Sequence, residues 1–157
     1  MNGQENPSVF VSAHPFDTSR IRAAAIYCSD GRFGEQFDDF LQNALALPRY
    51  DRLAVPGGAA CLAGHFGSFW EEEGLLEQLR FLIQVHGIER VVLIAHEGCA
   101  FYTERLRVLP SQLQSQQWQD MQAAAGRIRA VAPGLVIDTF FARKHPDGTV
   151  RFEAVCE

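Results

Sequence analysis

Two spacings of apolar residues divide the chain. Unbroken runs at Ala23-Ala24-Ala25-Ile26-Tyr27 and Val91-Val92-Leu93-Ile94-Ala95 predict strands buried on both faces. A three- and four-residue recurrence, Phe33, Phe37, Phe40, Leu41 and Leu45, predicts an amphipathic helix that ends near Pro48. A second helix follows from Leu75, Leu76, Leu79, Leu82, Ile83 and His86; Ser68 is its predicted cap, Glu71, Glu72 and Glu73 suit its dipole, and Gly87 ends it. A third, rich in Gln and Ala, is predicted from Ser111 to Ala132 and is closed by Pro133-Gly134. Shorter strands are predicted at Asp51 to Val55 and Leu135 to Ala142. Pro146-Asp147-Gly148-Thr149 reads as the turn into a last, antiparallel strand over Val150 to Val155. Residues 1–20, broken by Pro7 and Pro15, predict an irregular arm with at most a short strand at Val9-Phe10-Val11. Ala59 to Gly67 reads as a small-residue loop, and Phe101 to Leu109 as a short helix or turn.

Strands alternating with helices predict an α/β fold, a three-layer sandwich with a mainly parallel central β-sheet and an antiparallel C-terminal edge strand. With 157 residues, 47% of them hydrophobic, residues 1–157 are expected to form a single domain. The formal charge of −5 and the absence of a basic stripe argue against nucleic acid as a partner. No apolar stretch approaches a membrane span and no leader pattern opens the chain, so a soluble, cytoplasmic protein is expected. Cys28, Cys61, Cys99 and Cys156 are numerous enough for two disulfides, but a core of this size needs no staples; metal or reduced thiol is the better reading.

The chemistry gathers where the two apolar runs end. The first passes into Cys28-Ser29-Asp30-Gly31-Arg32, the second into His96-Glu97-Gly98-Cys99. Parallel strands place their carboxyl ends on one edge of the sheet, so Cys28, His96 and Cys99 are expected to converge there. Two sulfurs and an imidazole supply three ligands of a tetrahedral Zn2+ and leave a fourth position open. Pro56-Gly57-Gly58, after the next strand, is a turn that permits close backbone approach and is expected to border the site. Phe33, Phe66, Phe101 and Tyr102 are candidates for an apolar slot at its mouth. His65 with Glu71 to Glu73 is read as a solvated helix start rather than a second metal site. His86 is read as a dipole partner, and His14 and His145 as loop residues. Cys61 and Cys156 have no partner motif.

Cys-Ser-Asp-x-Arg after one strand, with His-x-x-Cys after a later one, resembles the β-class carbonic anhydrases, zinc enzymes that hydrate carbon dioxide. The motifs are specific as a pair, and the similarity spans about Ile21 to Tyr102. The resemblance implies Zn2+ held by Cys28, His96 and Cys99, with Asp30 and Arg32 as a catalytic dyad. It implies reversible hydration of carbon dioxide to bicarbonate by a zinc-bound hydroxide that Asp30 orients, while Arg32 grips the carboxylate through its planar fork. It also implies a possible closed state with Asp30 as fourth zinc ligand, and a homodimer or higher homo-oligomer. Four features depart from the usual family pattern. Val55-Pro56-Gly57-Gly58 replaces an arginine-asparagine-alanine-glycine run, no glutamine lies between Ala13 and Tyr27, Ala100 follows Cys99 in place of glycine, and Glu97 is expected to put an extra carboxylate beside the metal. Alternative readings are a non-catalytic zinc-binding protein on the same fold, a related hydrolase of carbonyl sulfide or carbon disulfide, and a thiol redox protein, which leaves His96 unexplained.

Overall fold

A computed structural model describes residues 6–155, so Cys156 and the first five residues of the arm lie outside the described residues. Five strands, β1 (Ala23–Cys28), β2 (Asp51–Val55), β3 (Arg90–His96), β4 (Val136–Lys144) and β5 (Val150–Ala154), form one sheet in the order β2-β1-β3-β4-β5. β1 runs parallel to β2 and β3, and β3 parallel to β4; β5 alone is antiparallel, pairing with β4 at the edge. The two unbroken apolar runs take the central positions. All six residues of β1 are buried, as are six of the seven of β3, because helices cover both faces there.

Strand periodicity sorts the side chains of β1 into two layers. Ala24 and Ile26 face the larger core with Leu75, Leu76 and Leu79 of α2 (Phe69–His86) and Met121, Ala124 and Ile128 of α3 (Leu113–Val131). Ala23, Ala25 and Tyr27 face the other way, onto Phe33, Phe37 and Leu41 around α1 (Gly34–Asp39). The result is the expected three-layer arrangement, with α1 on one face and α2 and α3 on the other. Phe37 is fully buried, and removing a ring of that kind costs about 3–5 kcal/mol.

Local structure differs from the sequence pattern in several places. The first helix is shorter than its apolar period: α1 gives way to a π-helical turn at Phe40–Ala44, and Ala46 then adopts a left-handed conformation. The expected loop at Ala59 to Gly67 is largely helical, with 3-10 turns at Gly58–Leu62 and Phe66–Ser68. Its small side chains let the backbone tuck beneath α3, so Ala59, Ala60, Cys61 and Leu62 are all buried. Ser68 precedes α2 but does not cap it; its hydroxyl donates to the His65 carbonyl at 3.2 Å. Gly87 ends α2 in the left-handed region, φ 64°, with its N–H on the Ile83 carbonyl. Val9, Phe10 and Val11 form no strand and lie exposed.

Candidate metal centre

β1 and β3 are parallel neighbours, and each ends on a candidate ligand: Cys28 closes β1, and His96 closes β3. Gly98, at φ 70°, turns the chain back and delivers Cys99. The donor atoms of Cys28, His96 and Cys99 all lie within 4.8 Å of one another, and all three residues are buried. Among the described residues no other group of three or more His, Cys, Asp or Glu residues is placed to hold a metal.

The donor set fits a tetrahedral thiophilic ion. Two thiolates bound to zinc at about 2.3 Å stand about 3.8 Å apart. The sulfurs of Cys28 and Cys99 are 3.8 Å apart. His96 Nδ1 lies 3.0 Å from the Glu97 carbonyl oxygen, which only accepts, so the ring proton sits on Nδ1. Nε2 is left with its lone pair, buried and without a hydrogen-bond partner among the described residues. Phe33 packs against the imidazole at 4.4 Å between ring centroids and limits its rotation.

One sulfur is prepared as an anion. Cys99 donates a hydrogen bond to Cys28, which lowers the Cys28 pKa despite burial, with further help from the Gly57 N–H at 3.4 Å. The same shared proton, together with burial, raises the Cys99 pKa. The Pro56-Gly57-Gly58 turn thus borders the site as expected. Gly58, at φ 54°, brings its backbone so near β1 that a Cβ there would lie 2.9 Å from the Cys28 nitrogen.

Asp30 and Arg32 form a local clamp on the same edge. Arg32 Nε donates to Asp30 Oδ1 at 2.9 Å, Nη2 to Oδ2 at 2.6 Å, and the Arg32 main-chain N–H to Oδ1 at 3.1 Å. The guanidinium holds the Asp30 carboxyl down to a pKa of about 2. Arg32 is mostly exposed, whereas Asp30 is only 17% exposed, so the carboxylate is presented from within the loop.

Other sequence candidates separate. Glu97 does not stand over the ligands: its carboxylate accepts the Lys144 N–H at 2.9 Å, at the end of β4. Phe66 is fully exposed and lines an open groove with Phe69 and Trp70, away from the ligands, while Phe33 and Tyr102 are buried. Phe101 does help line an apolar cavity of about 340 Å³ with Val55, Pro56 and Leu75, at whose edge Arg105 pairs with Glu71 at 2.7 Å. The predicted solvated start of α2 is only partly so. Glu72 is buried, paired with Arg127 at 2.5 Å and accepting the Gly64 N–H at 3.0 Å. His65 Nε2 lies 2.7 Å from the buried Asp120. His86 pairs through Nδ1 with Asp51 at 2.6 Å, so it has a side-chain partner that the dipole reading did not supply. Cys61 is buried, donates to the Pro56 carbonyl at 3.2 Å, and has its pKa pushed up by burial to about 11.

Sequence reasoning missed the polar residues that α3 sends toward this edge. Gln117 and Asp120 are buried on the face that also carries Met121 and Ala124. Continuing that apolar stripe back by one turn would have marked both as core polar residues.

Residues 18–155 match the model of a protein family described as "Putative carbonic anhydrase". Among solved structures, a β-carbonic anhydrase isoform I from the protozoan Trichomonas vaginalis is similar at a TM-score of 0.55 and 13% identity, over 90% of this chain and 87% of that one. A β-carbonic anhydrase of the fungal pathogen Aspergillus fumigatus gives a TM-score of 0.45 and 16% identity, over 88% and 77% respectively. No curated protein matches the chain significantly.

Proposed function

The chain belongs to the carbonic anhydrase family and is an enzyme of that kind, and from this premise we propose that it is a zinc enzyme for the reversible hydration of carbon dioxide to bicarbonate. The observation that carries the zinc assignment is the buried, unpartnered Nε2 of His96 converging with two sulfurs already 3.8 Å apart. Zinc held by Cys28, His96 and Cys99 would supply a Lewis acid that lowers the pKa of water to about 7.

The remaining work belongs to the Asp30 and Arg32 pair. Arg32 keeps Asp30 ionised and fixes both its oxygens. An ionised carboxylate only accepts hydrogen bonds, so Asp30 selects an attacking oxygen that still carries a proton and aims its lone pair at the substrate carbon. The bidentate clamp also holds Asp30 away from the ligand set, which supports an open fourth position over the closed arrangement.

A homo-oligomer forms part of the same proposal. Phe66 and Trp70 lie exposed at the start of α2, and Val9, Phe10 and Phe16 of the arm are equally uncovered. Cys28, Cys61 and Cys99 are free thiols, which suits a reducing compartment, and the cytoplasm is the proposed location. No helix among the described residues is long and apolar enough to cross a membrane.

Elemental analysis combined with stopped-flow hydration of carbon dioxide tests the assignment. One zinc per chain with turnover near pH 8 is the expected result. Stoichiometric zinc without turnover would transfer the chain to the non-catalytic reading, or, if carbonyl sulfide or carbon disulfide is hydrolysed instead, to that activity. A folded protein that binds no zinc would end the proposal.

A further inference from the structure

We propose that α3 is the positioning element of the zinc-binding loop, with Gln117 setting His96. The inference rests on the zinc reading above and goes beyond it, because Gln117 is not a ligand and does not touch substrate.

Gln117 is 1% exposed, and its Nε2 donates to the main-chain carbonyl of His96 at 2.8 Å. Its Oε1 is buried and has no partner among the described residues. A carbonyl cannot donate, so the amide is held with its nitrogen toward His96 and its oxygen toward the unpaired side. Leaving a buried acceptor unpaired costs about 1–3 kcal/mol. Methionine or leucine would fill the same space on α3 without that cost. What a glutamine adds is one donor aimed at the backbone of a metal ligand.

Asp120, one helical turn further on and therefore on the same face, is 3% exposed. It meets His65 Nε2 at 2.7 Å and accepts from Gln116 Nε2 at 2.8 Å, so its charge is taken up away from the ligands. One face of one helix therefore carries a polar group, Gln117, that bonds the metal-binding loop. The ring of His96 is fixed separately, by Nδ1 on Glu97 and by Phe33, so the Gln117 bond sets where the ring stands and not its tautomer. Groups that orient metal ligands in this way influence metal affinity about 10- to 100-fold.

The test uses Gln117→Met, close in volume but without a donor, and Asp120→Asn. For each, the zinc dissociation constant is measured by chelator competition, and the visible d–d absorption is recorded after cobalt(II) loading. Far-UV circular dichroism of the metal-free protein controls for folding. Gln117→Met is expected to weaken zinc about 10- to 100-fold and to change the cobalt spectrum, whereas Asp120→Asn, on the same face but bonded to His65 and Gln116, is the control expected to stay within about twofold of the parent. A folded Gln117→Met protein with zinc affinity within about twofold of the parent and an identical cobalt spectrum overturns the inference. So does a lower melting temperature unaccompanied by either change, since that describes packing alone. If Gln117→Met does not fold, Gln117→Leu, which also carries no donor, is read by the same criteria. Failure of the parent protein to bind zinc would instead defeat the site assignment, and this inference with it.

Discussion

The loops that follow β1 and β3 meet at one edge of the sheet but are held in different ways. The first closes on itself: Asp30 and Arg32 satisfy each other two residues apart, and the Phe33 N–H returns to the Asp30 carbonyl at 3.0 Å. The second borrows its support from distant parts of the chain. Glu97 is tied to Lys144, and the His96 carbonyl to Gln117. One loop is mostly solvent-facing at Arg32, whereas His96 and Cys99 are each 1% exposed. The difference assigns them different work. A self-contained, exposed clamp can meet substrate and exchange with water, while a buried loop braced from several elements can hold ligand atoms at fixed separations.

Breaking the ligand set should have the largest effect. Cys28→Ser, His96→Ala and Cys99→Ser are each expected to lose stoichiometric zinc in elemental analysis and to abolish hydration of carbon dioxide. Retained zinc with full turnover in His96→Ala would contradict the assignment of the β3 loop.

Breaking the clamp should separate chemistry from metal binding. Asp30→Asn and Arg32→Ala are expected to lower kcat/KM about 10²- to 10³-fold, the scale of losing one oriented polar group at a reacting centre. Zinc content should stay at the parent level. Loss of zinc in either variant would show that the two loops do not divide the work.

Gly58→Ala probes a place where the β1 loop depends on a distant segment. Its left-handed φ and the 2.9 Å approach of an added Cβ to Cys28 predict a loss of about 1–3 kcal/mol in denaturant unfolding. An unchanged midpoint would show that the turn yields freely.

The smallest effect is the acid titration of Asp30. Its pKa falls from the ordinary 3.8 to about 2 in the folded protein, chiefly through the Arg32 hydrogen bonds. The stabilisation is therefore complete above the ordinary value and is lost as pH drops through 3.8 toward 2. The stability difference between the parent and Asp30→Asn should stay flat in neutral solution and shrink across that acidic window. NMR titration of the carboxyl in Arg32→Ala should find its pKa moved back up; no movement would detach Asp30 from Arg32.

How much was legible in advance follows the same division. The unbroken runs at 23–27 and 91–95 could be read as central parallel strands, because burial on both faces demands apolar residues at every position. The convergence of Cys28, His96 and Cys99 could be read because they sit at the ends of those runs, whereas Asp30 and Arg32 were singled out by the family resemblance. Ser68 misled: a hydroxyl ahead of an acidic turn reads as a cap, but the 3-10 turn before α2 engages it first. Glu97 misled for a similar reason, since its place beside His96 says nothing of the Lys144 N–H waiting at the end of β4.

The amino-acid sequence alone determined the layered α/β class of the fold and the sheet edge where Cys28, His96 and Cys99 converge, since both depend on hydrophobic period and on where the apolar runs end. Only the tertiary structure decided which polar residues of α3 are buried, which donor meets the His96 carbonyl, and where Glu72 and Glu97 spend their charge. Those bonds join residues far apart along the chain, and the free-energy cost of an unpaired buried polar group selects the partner only once packing has brought the candidates together.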